Sequence, residues 1–173
     1  MAKVRPIPKG YTTITPGIAI QGADAFIKFC KKAFGAKEIM RMAGPVKGSV
    51  MHAEIEIGNS RFMCGDESPS MGNRSAVTLG GTPVTFHIYV ENVDKAFPKA
   101  IKAGATAIMP PTDMFWGDRY SQVQDPFGNK WALATHIEDM TPAEMKKRGA
   151  KWMKAMASPA AAAAAAGGET GNG

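Results

Sequence analysis

The chain has 173 residues, 45% of them hydrophobic and 21% charged, with a formal net charge of +6. That length suits one domain or two small modules sharing a core, and the composition is that of an ordinary globular protein. No window holds the eighteen or so consecutive apolar residues of a membrane-spanning helix, and the opening run Met1–Thr13, with charges and prolines but no apolar stretch, gives no expectation of a secretory leader.

Residues 1–10 read as an N-terminal arm, and residues 11–67 as a first folded module. A short strand around Ile18–Ile20 leads into a helix whose Ala23, Phe26, Ile27, Cys30 and Phe34 have the spacing of one buried face. Gly35 stops it. Three strand-like runs follow at about Lys37–Met42, Met51–Gly58 and Arg61–Asp66. On the middle run His52, Glu54 and Glu56 share one face, while Met51, Ala53, Ile55 and Ile57 take the helix side.

Residues 68–82 are rich in Ser, Gly and Pro and read as a linker. Residues 83–139 then repeat the first module. Ile18, Ile20, Asp24, Lys32, Ala33, Gly35, Ala36, Ile39 and Met40 match Ile88, Val90, Asp94, Lys102, Ala103, Gly104, Ala105, Ile108 and Met109, with Phe34 extra in the first copy. The second helix should run from an Asn92 cap to Gly104, with a shifted start or a kink at Pro98. Its three strands are expected at Thr106–Met109, Tyr120–Gln124 and Lys130–His136, with Asp113–Gln122 reading as a long loop rich in aromatic residues.

Residues 140–157 predict a C-terminal helix, because Thr141-Pro142-Ala143-Glu144 combines a capping box with proline at the first helical position. Met145, Gly149, Trp152, Met153 and Met156 fall on one face, which should dock on the domain or on a second subunit. Five cations here (Lys146, Lys147, Arg148, Lys151 and Lys154) carry much of the net charge, so residues 1–140 hold only 16 basic against 13 acidic groups. No nucleic-acid footprint follows. Residues 158–173 are low complexity and expected to be mobile. The two cysteines form no CxxC pair and read as small buried thiols of a cytoplasmic protein.

Each module is thus βαβββ, and neither sheet can bury both faces alone. The expected fold is α+β: two βαβββ modules pairing their curved sheets around a shared cleft, plus the C-terminal helix.

The paired modules, together with the runs Gly22–Ala36, Phe86–Phe97 and Asp125–Leu133, resemble the vicinal oxygen chelate superfamily. This is the glyoxalase, bleomycin-resistance and extradiol-dioxygenase group, and the small PhnB-like proteins are the nearest in kind. The resemblance covers about Tyr11 to Asp139 and implies the fold far more than an activity. In members that bind metal, one ligand comes from the first and last strand of each module and is usually His, Glu or Gln. Carried onto this chain through the helix and turn motifs, those positions hold Thr15, Phe62, Thr85 and Ala132. No divalent-ion site is expected from such a set.

What remains is a cleft. Strand alternation puts Thr85, His87 and Tyr89 inward, with Ala132, Ala134 and His136 beside them. The ligand-binding candidates are Glu56, Phe62, Phe115, Trp116, Arg119 and Tyr120: aromatic rings for stacking, and Arg119 to clamp a carboxylate or phosphate. His87 and Glu54 are the candidate acid–base pair. The expectation is a cytoplasmic, homodimeric protein that binds a small organic molecule without a cofactor, nucleic acid or membrane. The alternative is a lyase, isomerase or dioxygenase of the glyoxalase type, using a relocated divalent metal or the His87–Glu54 pair.

Overall fold

The computed structural model describes residues 4–157; the tail 158–173 lies outside the described residues. Two four-stranded sheets form, each with one helix between its first and second strands. The first module is β1 (Gly17–Ile20), α1 (Ala23–Phe34), β2 (Lys37–Ala43), β3 (Val50–Ile57) and β4 (Ser60–Asp66). The second is β5 (Thr85–Tyr89), α2 (Val93–Lys102), β6 (Thr106–Asp113), β7 (Asp118–Gln124) and β8 (Lys130–His136), followed by α3 (Pro142–Met156). The spatial orders are β1-β4-β3-β2 and β5-β8-β7-β6, so the internal repeat in the sequence is a repeat in topology.

The helices end where their caps dictate. Gly35 takes the left-handed conformation at φ 68°, and its amide closes α1 on the Lys31 carbonyl. The Asn92 side chain accepts from the Lys95 amide and starts α2 one residue later. Pro98 lies within α2, which continues through it to Lys102. The capping box of α3 forms in both directions between Thr141 and Glu144.

One core serves both modules. α1 buries Phe26, Ile27, Phe29 and Cys30, and α2 buries Val93 and Ala100. Between them stands Trp131 of β8, 1% exposed. Its ring stacks on Phe86 at 4.8 Å and Phe26 at 6.4 Å, and touches Phe34 at 4.7 Å and Phe62 at 6.3 Å. Three of those four partners belong to the other module, so aromatic packing joins the halves. The linker contributes Ser75 and Ala76, both buried, after a short 3-10 turn at Pro69–Met71.

Several expectations change, among them the long loop over Asp113–Gln122, which is instead the end of β6, a turn at 114–117 and the start of β7. β6 runs on over Pro110 and Pro111 to Asp113, because it is an edge strand where a missing amide donor breaks no ladder; irregular pairing between Met109 and Thr112 absorbs the two prolines. α3 buries no residue, so its apolar face is only partly covered. And Phe62, expected on the inner face, turns to the helix side. It pairs with Ile55 and packs on Phe26.

The cause of that last change is turn length. Gly58-Asn59 is a two-residue connection between β3 and β4, whereas Asp125–Asn129 puts five residues between β7 and β8. The closing pair Ile57/Ser60 therefore faces the helices, while Gln124/Lys130 faces the other way. Aligning the two Gly-Asn steps shifts the register by one residue, and one residue reverses every side chain.

Candidate functional site

On the concave face of the second sheet, His87 stands beside Ala132 and Tyr89 beside Ala134, with Gln122 and Tyr120 on the next strand. Both alanines are buried although they lie outside the helix-side core. Above them the His87 ring leans on Tyr89 and Tyr120, with centroids 4.8 and 5.9 Å away. At the end of this face Asp118 is 3% exposed. It accepts from Tyr89 Oη at 3.2 Å and Trp116 Nε1 at 3.0 Å, and lies 2.8 Å from His136 Nδ1. Asp139 is 3.1 Å from the second ring nitrogen. The two carboxylates, Asp118 foremost, favour the charged imidazolium and raise the His136 pKa.

Phe115 and Trp116 meet edge to face at 5.0 Å, and Trp116 meets Tyr120 at 5.6 Å. Phe115 in turn lies 5.4 Å from Trp152 and against Gly149, which is how α3 attaches to the domain. Arg148 adds two hydrogen bonds to Glu138. Arg119 points to the helix side and is already committed, donating to Asp94 at 2.8 Å and Asp113 at 2.7 Å.

On the first sheet Glu54 sits beside Met63, 3.8 Å from His52, and Glu56 accepts from Arg61 at 3.0 Å. The N-terminal arm lies over this pair. The Tyr11 ring is 5.2 Å from the Arg61 guanidinium, which also donates to the Lys9 carbonyl. Burial raises the Tyr11 pKa, with Glu54 adding to it. Among the described residues Glu54 and His87 share no hydrogen bond or ion pair.

An open-sided space lies between the modules. β1 pairs only with Met63–Asp66 of β4, because it begins after Pro16; Ser60–Phe62 therefore have no neighbour on that side. A cavity of about 760 Å³ occupies the gap. Its apolar wall is made by Phe34, Ile57, Phe62, Phe86, Ile88 and Trp131. Its rim carries His87, Arg61, Glu91 and Asn92, with Lys95 and Lys99 from α2. Its volume lies within the range of about 300–1,000 Å³ over which ligand pockets occur, and its lining is mostly apolar with a few polar groups.

Of the site residues expected from sequence, the structure brings Phe62 and His87 to this cavity. Phe115, Trp116 and Tyr120 gather instead around Asp118 and α3. Glu54 and Glu56 stand under the arm, and Arg119 joins β7 to α2 and β6. Missing from the expected set are Phe34, Phe86, Trp131, Lys95 and Lys99. One signal pointed to the first of them: Phe34 is the single residue by which the first repeat exceeds the second. It ends α1 and reaches both Trp131 and the cavity.

The divalent ion of metal-binding relatives does not fit these residues. With β4 in its observed register, the inward positions hold Thr15, Met63, Thr85 and Ala132, which offer no set of oxygen or nitrogen donors. Among the described residues no three His, Cys, Asp or Glu side chains are arranged to hold a metal ion.

Comparison with known proteins agrees with this architecture. The family model for the glyoxalase/bleomycin resistance protein/dioxygenase superfamily matches residues 13–133. An uncharacterized protein of Mycobacterium tuberculosis is 38% identical over 136 residues, spanning 77% of this chain and 79% of its own length. The crystal structure of TioX from Micromonospora sp. ML1 superposes with a TM-score of 0.57 at 24% identity, covering 75% of this chain and all of TioX. The PhnB protein from Bacillus cereus, described as a putative 3-demethylubiquinone-9 3-methyltransferase, gives 0.57 at 19% identity, over 72% of this chain and 99% of its own. At those identities the two structures show a shared fold. With its duplicated βαβββ modules and a family match over most of its length, the chain belongs to the glyoxalase/bleomycin resistance protein/dioxygenase superfamily.

Proposed function

We propose that this protein binds a small organic molecule in the cavity between its modules and does so without a metal. The observation that carries the proposal is the aromatic wall: Phe34, Phe62, Phe86 and Trp131 border one open-sided cavity of about 760 Å³. Rings on several sides favour a flat or apolar ligand body. The inward positions support a metal-free site, since Thr15, Met63, Thr85 and Ala132 are poor ligands for a divalent ion. An acid–base role for His87 would need a partner other than Glu54, whose neighbours are His52 and Tyr11.

Two further parts of the reading concern the protein as a whole. A homodimer is supported by the exposure of Tyr89 (65%) and Met42 (47%) on the concave faces, where a second copy would cover them. A cytoplasmic location is supported by Cys30 and Cys64 remaining free thiols. No described helix is long and apolar enough to cross a membrane.

The test is uptake of a neutral apolar fluorophore, N-phenyl-1-naphthylamine, by the full chain, with metal analysis of protein purified without chelators. Saturable binding that raises the melting temperature is expected, with metal far below stoichiometric. Failure to bind removes the cavity from consideration, and stoichiometric Zn, Ni, Mn or Fe removes the metal-free reading. Light scattering reads the oligomeric state directly.

A further inference from the structure

Resting on the reading of the cavity as a ligand site, we infer that its ligand is an aromatic anion: an apolar ring system carrying one carboxylate, sulfonate or phosphate group. The wall fixes the body of such a ligand. Phe34, Phe62 and Phe86 have no polar atoms, and the one N–H that Trp131 possesses is already donated to Asp125 at 2.9 Å. A polar ring would lose its hydrogen bonds to water there without replacement.

The rim fixes the charge. Lys95 and Lys99 lie one helical turn apart on α2, on the side that borders the cavity. Neither forms an ion pair among the described residues, so both charges are open to a ligand at the rim. Arg61, the third cation at the rim, is neutralised by Glu56. Glu91 is the one carboxylate lining the space, so the two unpaired lysines outnumber it and the net charge of the unpaired groups there is positive. Two like charges one turn apart repel each other, and an anion placed between them relieves that repulsion. The positive end of α2, at Asn92, borders the same opening and acts in the same direction.

The experiment compares two probes with the same ring system, 8-anilino-1-naphthalenesulfonate and its neutral parent N-phenyl-1-naphthylamine. Each is titrated into the full chain at low and high salt. The sulfonate should bind several-fold tighter at low salt, and the gap should narrow as salt screens the lysines. Replacing both lysines (Lys95→Gln, Lys99→Gln) should weaken the sulfonate about two- to thirtyfold, as two exposed ion pairs would, and leave the neutral probe unchanged. Ser60→Phe, an exposed hairpin position at the rim, should exclude both probes while the melting curve stays cooperative. Equal affinities in the native chain, or a gap that survives the lysine replacements, overturn the anion assignment while the cavity still stands as a binding site. Binding indifferent to Ser60→Phe overturns the location. If neither probe binds, the underlying reading falls and the inference with it.

Discussion

Trp131 is the side chain on which the two halves of the protein depend, and its replacement separates packing from hydrogen bonding. The ring is 1% exposed and touches Phe26, Phe34 and Phe62 of the first module and Phe86 of its own. Its Nε1–H donates to Asp125 Oδ2 at 2.9 Å; the same carboxylate accepts from the amides of Phe127 and Asn129 and from the Asn129 side chain. Trp131→Phe keeps most of the ring and deletes one hydrogen bond to a buried charged group, a loss of about 1–3 kcal/mol. Trp131→Ala also opens a cavity at the centre of an aromatic cluster, adding about 3–5 kcal/mol. Against a total stability of about 5–15 kcal/mol, the alanine variant should lose a large share of its stability and melt far below the native chain.

Urea unfolding followed by far-UV circular dichroism measures both variants. The pH dependence supplies a second check. Burial raises the Asp125 pKa in spite of its donors, of which Trp131 is the strongest. A carboxyl with a raised folded pKa contributes most to stability in acid, and that contribution is lost as pH rises through the folded value. Removing the indole N–H raises that pKa further, so the cost of Trp131→Phe should be larger at pH 7 than at pH 4. Equal losses for the phenylalanine and alanine variants would refute the ring's role in joining the modules. A phenylalanine loss independent of pH would refute the bond to Asp125.

Gly117 adopts φ +91°, and a Cβ there would collide with the Glu138 carbonyl; Gly117→Ala should therefore lose on the order of 1–3 kcal/mol from backbone strain alone, more with the clash, read as a lower urea midpoint. His136 owes its raised pKa first to Asp118 and then to Asp139, so its contribution is fully present below about pH 6.5 and disappears as pH rises through the folded value. The melting temperature of the native chain should fall over that interval more than that of His136→Gln, and parallel curves would disprove the linkage. Burial pushes the Cys64 thiol up to about 12 and the Cys30 thiol up further. Both should resist a thiol reagent at pH 7 in the folded protein and react fully in urea; fast labelling without denaturant would show that these positions open readily.

Much of the architecture was legible in the chain of residues alone, because it depends on local signals. The repeat, the glycine stop at Gly35, the Asn92 cap and the Thr141–Glu144 capping box each act within a few residues of themselves. Alternation along β8 likewise placed Trp131 and Leu133 under the helices and Ala132 and Ala134 opposite them.

What required the tertiary structure was everything that crosses from one element to another. The turns before β4 and β8 differ by three residues, and only their hydrogen-bonded registers reveal that Phe62 faces α1. Asp118 lies in the run read from sequence as a loop, and only the pairing of β5, β7 and β8 brings Tyr89 and His136 onto it beside Trp116. The cavity exists because β1 is too short to cover β4 and because Phe34 reaches Trp131 from the other module. Sequence spacing states which way a side chain points along its own strand or helix; which side chains meet across the gap between two modules is set by how those modules pack.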